Sequence, residues 1–269
     1  MQKPFLKWAG GKTRLVDKIN NILPSGTRLV EPFVGSGAVF MNTDFNDYLL
    51  ADTNIDIINM YQILQSEGQL FINYCKSFFT PEYNSKDEYL KNRTLFNTTS
   101  DIRLKSALFI YLNRHCFNGL CRYNNSGGFN VPFGKYDKPY FPEEEMQAFF
   151  EKSNKAKFIH ADFRISMMQS INGDVIYCDP PYVPINDTSY FTNYSVGGFN
   201  LKDQEDLRDL TLKLAEQGVP VLISNHSTEW TLHNYSDAEI IEFDVQRFIS
   251  AKSDNRTTAK ELMALFKKP

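Results

Sequence analysis

From Lys12 to Leu23 the apolar residues Leu15, Val16, Ile19, Ile22 and Leu23 recur at the spacing of one helix face, and Pro24-Ser25-Gly26 ends the pattern. Arg28 to Pro32 is then a short apolar run feeding Val34-Gly35-Ser36-Gly37, and Tyr48 to Asp52 is another, ending in a carboxylate. Strand, glycine turn, helix and strand make a βαβ beginning. Phe158 to His160, Asp174 to Cys178, Val219 to Ser224 and Glu239 to Phe243 supply four more short strands, with a helix predicted over Leu201 to Gln217. A last strand, Leu262 to Phe266, follows the polar loop Ser250 to Lys260 and is placed to form a hairpin with Glu239 to Phe243. The alternation predicts an α/β fold with a mostly parallel, doubly wound sheet and a C-terminal antiparallel hairpin.

Between about residues 56 and 150 the strands give way to helical runs, Ile55 to Leu64, Lys86 to Phe96 and Arg103 to Arg114, and then to a stretch rich in glycine and asparagine. A connection that long is unusual for a plain crossover. The expected organisation is therefore a catalytic domain over 1–55 and 151–269, interrupted by an inserted helical and β-hairpin domain over 56–150.

The chain has 269 residues, of which 42% are hydrophobic, 14% aromatic and 23% charged, a balance that excludes disordered and fibrous classes. Its N-terminus shows no apolar run of a secretory kind, and no stretch reaches the roughly 18 apolar residues of a membrane span. A cytoplasmic protein is expected. Cys75, Cys116, Cys121 and Cys178 and the four histidines show no metal-site spacing, so no metal is expected.

A net charge of −3 argues against a nucleic-acid partner until its distribution is considered. Residues 101–140 carry Arg103, Lys105, Arg114, Arg122, Lys135 and Lys138 against only Asp101 and Asp137. Residues 245–269 carry Arg247, Lys252, Arg256, Lys260, Lys267 and Lys268 against Asp254 and Glu261. These two basic regions fit a phosphate-contacting surface, or simply solvated loops.

The glycine turn Glu31 to Gly37 admits two familiar readings that fail. A dinucleotide fingerprint would need a small residue at Phe40, and a phosphate-binding loop ending at Gly11-Lys12-Thr13 would need glycine at Leu6. What remains is an acid followed by Gly35 and Gly37, with Asp52 at the tip of the next strand. Such carboxylates suit the hydroxyl and ammonium groups of a nucleoside-like cofactor; the plainer alternative is an ordinary tight turn.

Asp179-Pro180-Pro181-Tyr182 follows the strand Asp174 to Cys178 at the end where open α/β sheets hold ligands. Two prolines stiffen the backbone and remove two donors, so Asp179 and the Pro180 carbonyl make an acceptor edge to which an exocyclic amine can donate. Adenine N6 has its lone pair delocalised into the ring. Two such hydrogen bonds would draw it toward tetrahedral geometry for attack on a sulfonium methyl, with Tyr182 as a stacking face. The alternative is a strand-end turn with an aromatic plug.

With these pieces in place the sequence resembles the Dam family of DNA adenine-N6 methyltransferases along nearly its whole length. Phe5-Leu6-Lys7-Trp8-Ala9-Gly10-Gly11-Lys12 is similar to the family's N-terminal cofactor motif, Glu31 to Gly37 to its glycine motif, and Asp179 to Tyr182 to its catalytic motif. The order of these motifs resembles the α group of amino-methyltransferases. Asn113 to Asn124, followed by Phe129 to Tyr136, resembles the family's GATC-reading hairpin, and the turn signal Asn125 to Gly128 agrees with two extended arms suited to a major groove.

The resemblance implies a Rossmann-like methyltransferase fold with S-adenosylmethionine as cofactor, held by Trp8, Lys12, Glu31, Gly35, Gly37, Asp52 and Asp179. It implies double-stranded DNA as partner, met by Lys7, Leu120, Arg122, Pro132 and Tyr136 at bases, by Asn118 near a vacated partner base, and by Phe117 in the gap. Arg93, Arg114 and Asn130 complete the expected DNA-contacting set. Phe117 stands where some members carry tyrosine; stacking needs only the ring, but a hydroxyl hydrogen bond is lost. A nucleoid-associated monomer is expected, since one base is flipped at a time. The competing readings are a methyltransferase acting on RNA adenine or protein glutamine, and a catalytically idle DNA-binding module.

Overall fold

The computed structural model describes residues 1–184, 198–246 and 258–268. The basic residues Arg247, Lys252 and Arg256 therefore lie outside the described residues. Seven strands form one sheet in the order β3-β2-β1-β4-β5-β7-β6, where β1 is Arg28–Glu31, β2 Asp47–Asp52, β3 Ala156–His160, β4 Asp174–Cys178, β5 Val221–His226, β6 Glu239–Gln246 and β7 Thr258–Phe266. The α/β class, the mostly parallel sheet and the C-terminal antiparallel hairpin are as the sequence predicts.

The chain divides into two compact units, Met1–Asn21 with Val34–Ala161, and Ile22–Phe33 with Asp162–Pro269. In the first, Lys12–Leu15 is a 3-10 turn running into α1 (Val16–Ile22), so the predicted helix starts tighter than an α-helix. Here α2 (Ala38–Asn42) follows the glycine turn, and β2 pairs in parallel with β3 from Tyr48 opposite Ala156 to Asp52 opposite His160. Between those strands lie α3 (Ile55–Glu67), α4 (Gln69–Lys76), α5 (Lys86–Thr98), α6 (Ile102–His115) and α7 (Glu143–Ser153). The helical insertion expected over 56–150 thus sits in the unit that also holds β2 and β3, and the expected boundary at 150/151 falls inside α7.

Helix α6 is the centre of this unit. Asp101 caps it by accepting from the Leu104 N–H, and every residue from Ser106 to His115 is buried, as a helix packed on all sides must be. Helix α3 starts where the Asn54 side chain accepts from the N–H groups of Asp56 and Ile57. It stops at Gly68, whose φ of 52° no β-carbon tolerates comfortably and whose added Cβ would overlap the Phe150 ring.

In the second unit β1 pairs in parallel with β4, and β4 with β5, while β7 runs antiparallel to both β5 and β6. The five residues of β4 are all buried, which is why the four after Asp174 read as an apolar run. Its one charge, Asp174, is answered by Arg28 on β1 in a bidentate pair. Helices α8 (Phe163–Met167), α9 (Leu201–Glu216) and α10 (Glu229–Asn234) complete the unit. A capping box between Asn200 and Asp203 opens α9. In this strand order the chain changes direction between β1 and β4, and open α/β sheets bind ligands at the carboxyl ends beside such a reversal.

Candidate functional site

In the second unit two carboxylates stand at that point. Glu31 ends β1 and is 2% exposed, and Asp179 directly follows β4. Their joint field is registered by buried neighbours: Tyr177 and Cys178 are both pushed well above their ordinary pKa values, first by burial and then by the charges of Asp179 and Glu31. Cys178 is accordingly a protonated core thiol. Cys116 is raised to about 11 and Cys121 to about 12 by burial, so neither is a ready thiolate at neutral pH.

The segment after Asp179 is held by hydrogen bonds from α9 and β5. Gln204 donates its side-chain amide to the Pro181 carbonyl at 2.7 Å, and Asn225 accepts from the Val183 N–H at 2.9 Å. Asn225 in turn donates to Gln204, and His226 Nδ1 lies 2.7 Å from the Val183 carbonyl. The Pro181 carbonyl is therefore used internally, Pro180 is buried, and Val183, just after the tetrapeptide, is tied to β5. The Tyr182 ring stands edge-on to His226, 4.7 Å between centroids, and its hydroxyl donates to Glu261 at 3.3 Å. Gln204 and Asn225 carried no motif, and only their complete burial marks them.

In the first unit the glycine turn and the tip of β2 form a second constellation. The Gly35 N–H donates to Asp52 Oδ2 at 3.0 Å, the Asn54 N–H to Asp52 Oδ1 at 2.9 Å, and the Tyr61 hydroxyl to the Gly35 carbonyl at 2.7 Å. Burial pushes the Asp52 carboxyl up, while those two N–H groups and the charge of His160 pull it back. Gly35 has φ 47°, and a Cβ there would come within 2.9 Å of Trp8 Nε1. Gly37, at φ 72°, is the N-cap of α2 and faces Phe149. Both glycines are thus required by backbone angle and by close approach. Lys12 is buried and donates to the Gly10 carbonyl at 3.0 Å, closing the turn that carries Trp8. Tyr61 carries no motif because its partner, Gly35, lies 26 residues away, whereas Asn54 acts locally, between Asp52 and the first turn of α3.

The expected DNA-reading residues gather on the segment 116–136. It is less regular than a two-stranded ribbon: α6 absorbs Asn113 and Arg114, a 3-10 turn spans Phe117–Gly119, and only Cys116 with Phe133 and Tyr123 with Phe129 make antiparallel bridges. The turn at Asn125 to Gly128 forms, with the Asn124 N–H donating to the Gly128 carbonyl at 2.9 Å. Asn113 clamps the segment base, accepting from the Lys7 N–H and donating to the carbonyls of Lys7 and Gly119. Gly119 has φ 64°, and a Cβ there would overlap the Lys7 side chain.

Lys7 Nζ lies 4.3 Å from the centre of the Tyr136 ring, whose hydroxyl accepts from the Asn118 N–H at 3.1 Å. Phe117 is 50% exposed, a large fraction for a phenyl ring. Pro132 is exposed beside it, its carbonyl accepting from the Phe117 N–H, and Leu120 is half-buried. Arg122 is exposed and donates from Nε to Asn130 Oδ1 at 2.9 Å. Arg93 is half-buried and donates to the Val131 carbonyl.

Arg114 corrects the expectation of a DNA contact. It is buried, donates to the Phe5 carbonyl and packs on Tyr140, so its guanidinium is a tie within the fold rather than a surface group for phosphate. Desolvation lowers its pKa.

Among the described residues no cluster of three or more His, Cys, Asp or Glu could hold a metal ion, and no helix is long and apolar enough to cross a membrane. The profile of the D12 class N6 adenine-specific DNA methyltransferases matches residues 8–249. The DNA adenine methylase of Vibrio cholerae is 50% identical over 266 residues, covering 98% of this chain and 96% of its own. That of Serratia marcescens is 47% identical, with 98% of each chain covered, and that of Escherichia coli K12 is 45% identical, with 98% and 95% covered. On that match, over nearly its full length, the chain belongs to the D12 class of N6 adenine-specific DNA methyltransferases.

Proposed function

We propose that this enzyme takes its methyl group from S-adenosylmethionine and delivers it to the N6 of an adenine flipped out of a GATC site in duplex DNA. The observation that carries the reading is the rigidly held Asp179-Pro180-Pro181-Tyr182 segment beside Glu31 at the strand reversal. The residues present fit the cofactor. Asp52 is fixed by two backbone N–H groups with its carboxylate at a strand tip, where it can accept from ribose hydroxyls. Trp8 packs against a glycine that permits close approach, and Lys12 brings a cation suited to a ligand carboxylate. Gly37 and Glu31 complete this set.

When bound, S-adenosylmethionine supplies an electrophilic methyl on a sulfonium. The chain does the rest. Asp179 would accept one N6–H and the Pro180 carbonyl the other, which localises the lone pair on N6 toward the methyl that the cofactor would supply, and the proton displaced from N6 would leave along its hydrogen bond to Asp179 and on to water. Tyr182 offers its ring to the extruded base, a flip that costs a few kcal/mol, and Phe117 fills the gap. Arg122 grips a guanine through O6 and N7, Leu120 and Pro132 meet a thymine methyl, Lys7 and Tyr136 contact further bases, and Asn118 lies near the vacated partner base. Arg93 and Asn130 steady the reading arm. One protomer suffices for one flipped base.

The direct test incubates the enzyme with labelled S-adenosylmethionine and duplexes carrying one GATC or its scrambled order. Label is expected on GATC, and equal labelling of both overturns the target. For the cofactor, Asp52→Ala is expected to weaken S-adenosylhomocysteine by about tenfold or more, because a charged acceptor is lost. Unchanged affinity by calorimetry would mean that Asp52 does not touch the cofactor.

A further inference from the structure

Arg122 stands between Cys121 and Tyr123, and neighbours along an extended segment point to opposite sides. Arg122 faces outward to Asn130. Tyr123 faces inward, and its hydroxyl donates to Asp56 Oδ2 at 2.8 Å. Asp56 is only 7% exposed, yet its other oxygen meets Lys105 Nζ at 2.9 Å on α6, and its N–H donates to Asn54 Oδ1 at 3.0 Å. Cys121 approaches the same spot, with Asn54 Nδ2 3.9 Å from its sulfur.

A buried carboxylate costs free energy unless its oxygens are answered, and here the answers come from a helix and from the reading arm. Tyr123 also makes an isolated antiparallel bridge with Phe129, the rings meeting edge-on at 5.9 Å, so holding Tyr123 holds both extended arms on which Arg122 and Asn130 stand. The anchor is shared: Asn54, which caps α3 at this point, also donates its backbone N–H to Asp52.

We propose that Tyr123, held by Asp56 and Lys105, is a specificity-determining positioning residue that sets the orientation in which Arg122 presents its guanidinium to a base. This rests on the reading of Arg122 as a base contact. The hydroxyl is the working part, since the ring alone would keep the packing on Phe129. Phenylalanine at this position keeps the ring and removes only the bond to Asp56.

The test is a double-mutant cycle read as discrimination, the ratio of kcat/KM on GATC to that on duplexes with one pair changed. Tyr123→Phe is expected to lower that ratio about tenfold at the pair that Arg122→Ala also relaxes, to leave the other pairs alone, and to shift Tm by only about 2–4 °C. In an Arg122→Ala background the same change is expected to have no further effect on the ratio. A uniform loss on all duplexes, or an undiminished effect without Arg122, overturns the proposal and makes Tyr123 a purely structural residue. If Arg122→Ala relaxes discrimination and Tyr123→Phe does not, this inference alone falls. If Arg122→Ala keeps full discrimination, the base-reading role of Arg122 falls first and takes this inference with it.

Discussion

Asp179→Ala is expected to lower turnover by about a hundredfold or more while leaving S-adenosylhomocysteine affinity within about threefold, a loss of about 2.7 kcal/mol of barrier lowering. The carboxylate contributes where charge develops on N6, so its removal appears in kcat and kcat/KM together rather than in KM alone. Gln204, Asn225 and His226 hold Pro181 and Val183 through their own bonds, which Asp179→Ala leaves in place. Single-turnover kinetics at saturating DNA check the claim, and undiminished turnover would remove Asp179 from the chemistry. Cys178, fully buried beneath it and held protonated, is expected to take no part, so no covalent adduct between enzyme and base should be trapped.

Arg122→Ala is expected to relax selectivity at one base pair by about tenfold to a hundredfold while adenine methylation persists, the range for a bidentate guanine contact worth about 1–3 kcal/mol. The side chain is exposed and its Nε is satisfied by Asn130, so truncation leaves no buried group unpaired and fold stability should hardly change. Selectivity is measured with a panel of duplexes each altered at one position of GATC. Equal loss across the panel would recast Arg122 as a phosphate contact, whose signature is a weaker salt dependence instead.

The central strands were legible because a parallel strand buried on both faces leaves an apolar run, as Val175–Cys178 does. Strands β6 and β7 run longer than their apolar stretches suggest, since a hairpin extends through exposed positions such as Glu242, Asp244 and Lys260. Helices α4 and α7 were not predicted: α4 has only eight residues, α7 opens on three glutamates, and each buries only three residues.

At the site, Glu31, Asp52 and Asp179 sit at strand ends, where sequence position alone predicts their place. Arg114 misled because charge does not say which way a side chain faces. Its helix is buried on every side from Ser106 to His115, so even its charged position is enclosed. Tyr61, Asp56, Gln204 and Asn225 were invisible because each acts through a partner at least 21 residues away in sequence.

The most direct measurement is the identity of the methylated atom. DNA containing one GATC is incubated with the enzyme and labelled S-adenosylmethionine, digested to nucleosides and resolved by mass. A single labelled product is expected, N6-methyladenosine in its deoxy form, from the GATC adenine. Label on a cytosine, or on an adenine outside GATC in equal amount, would contradict it.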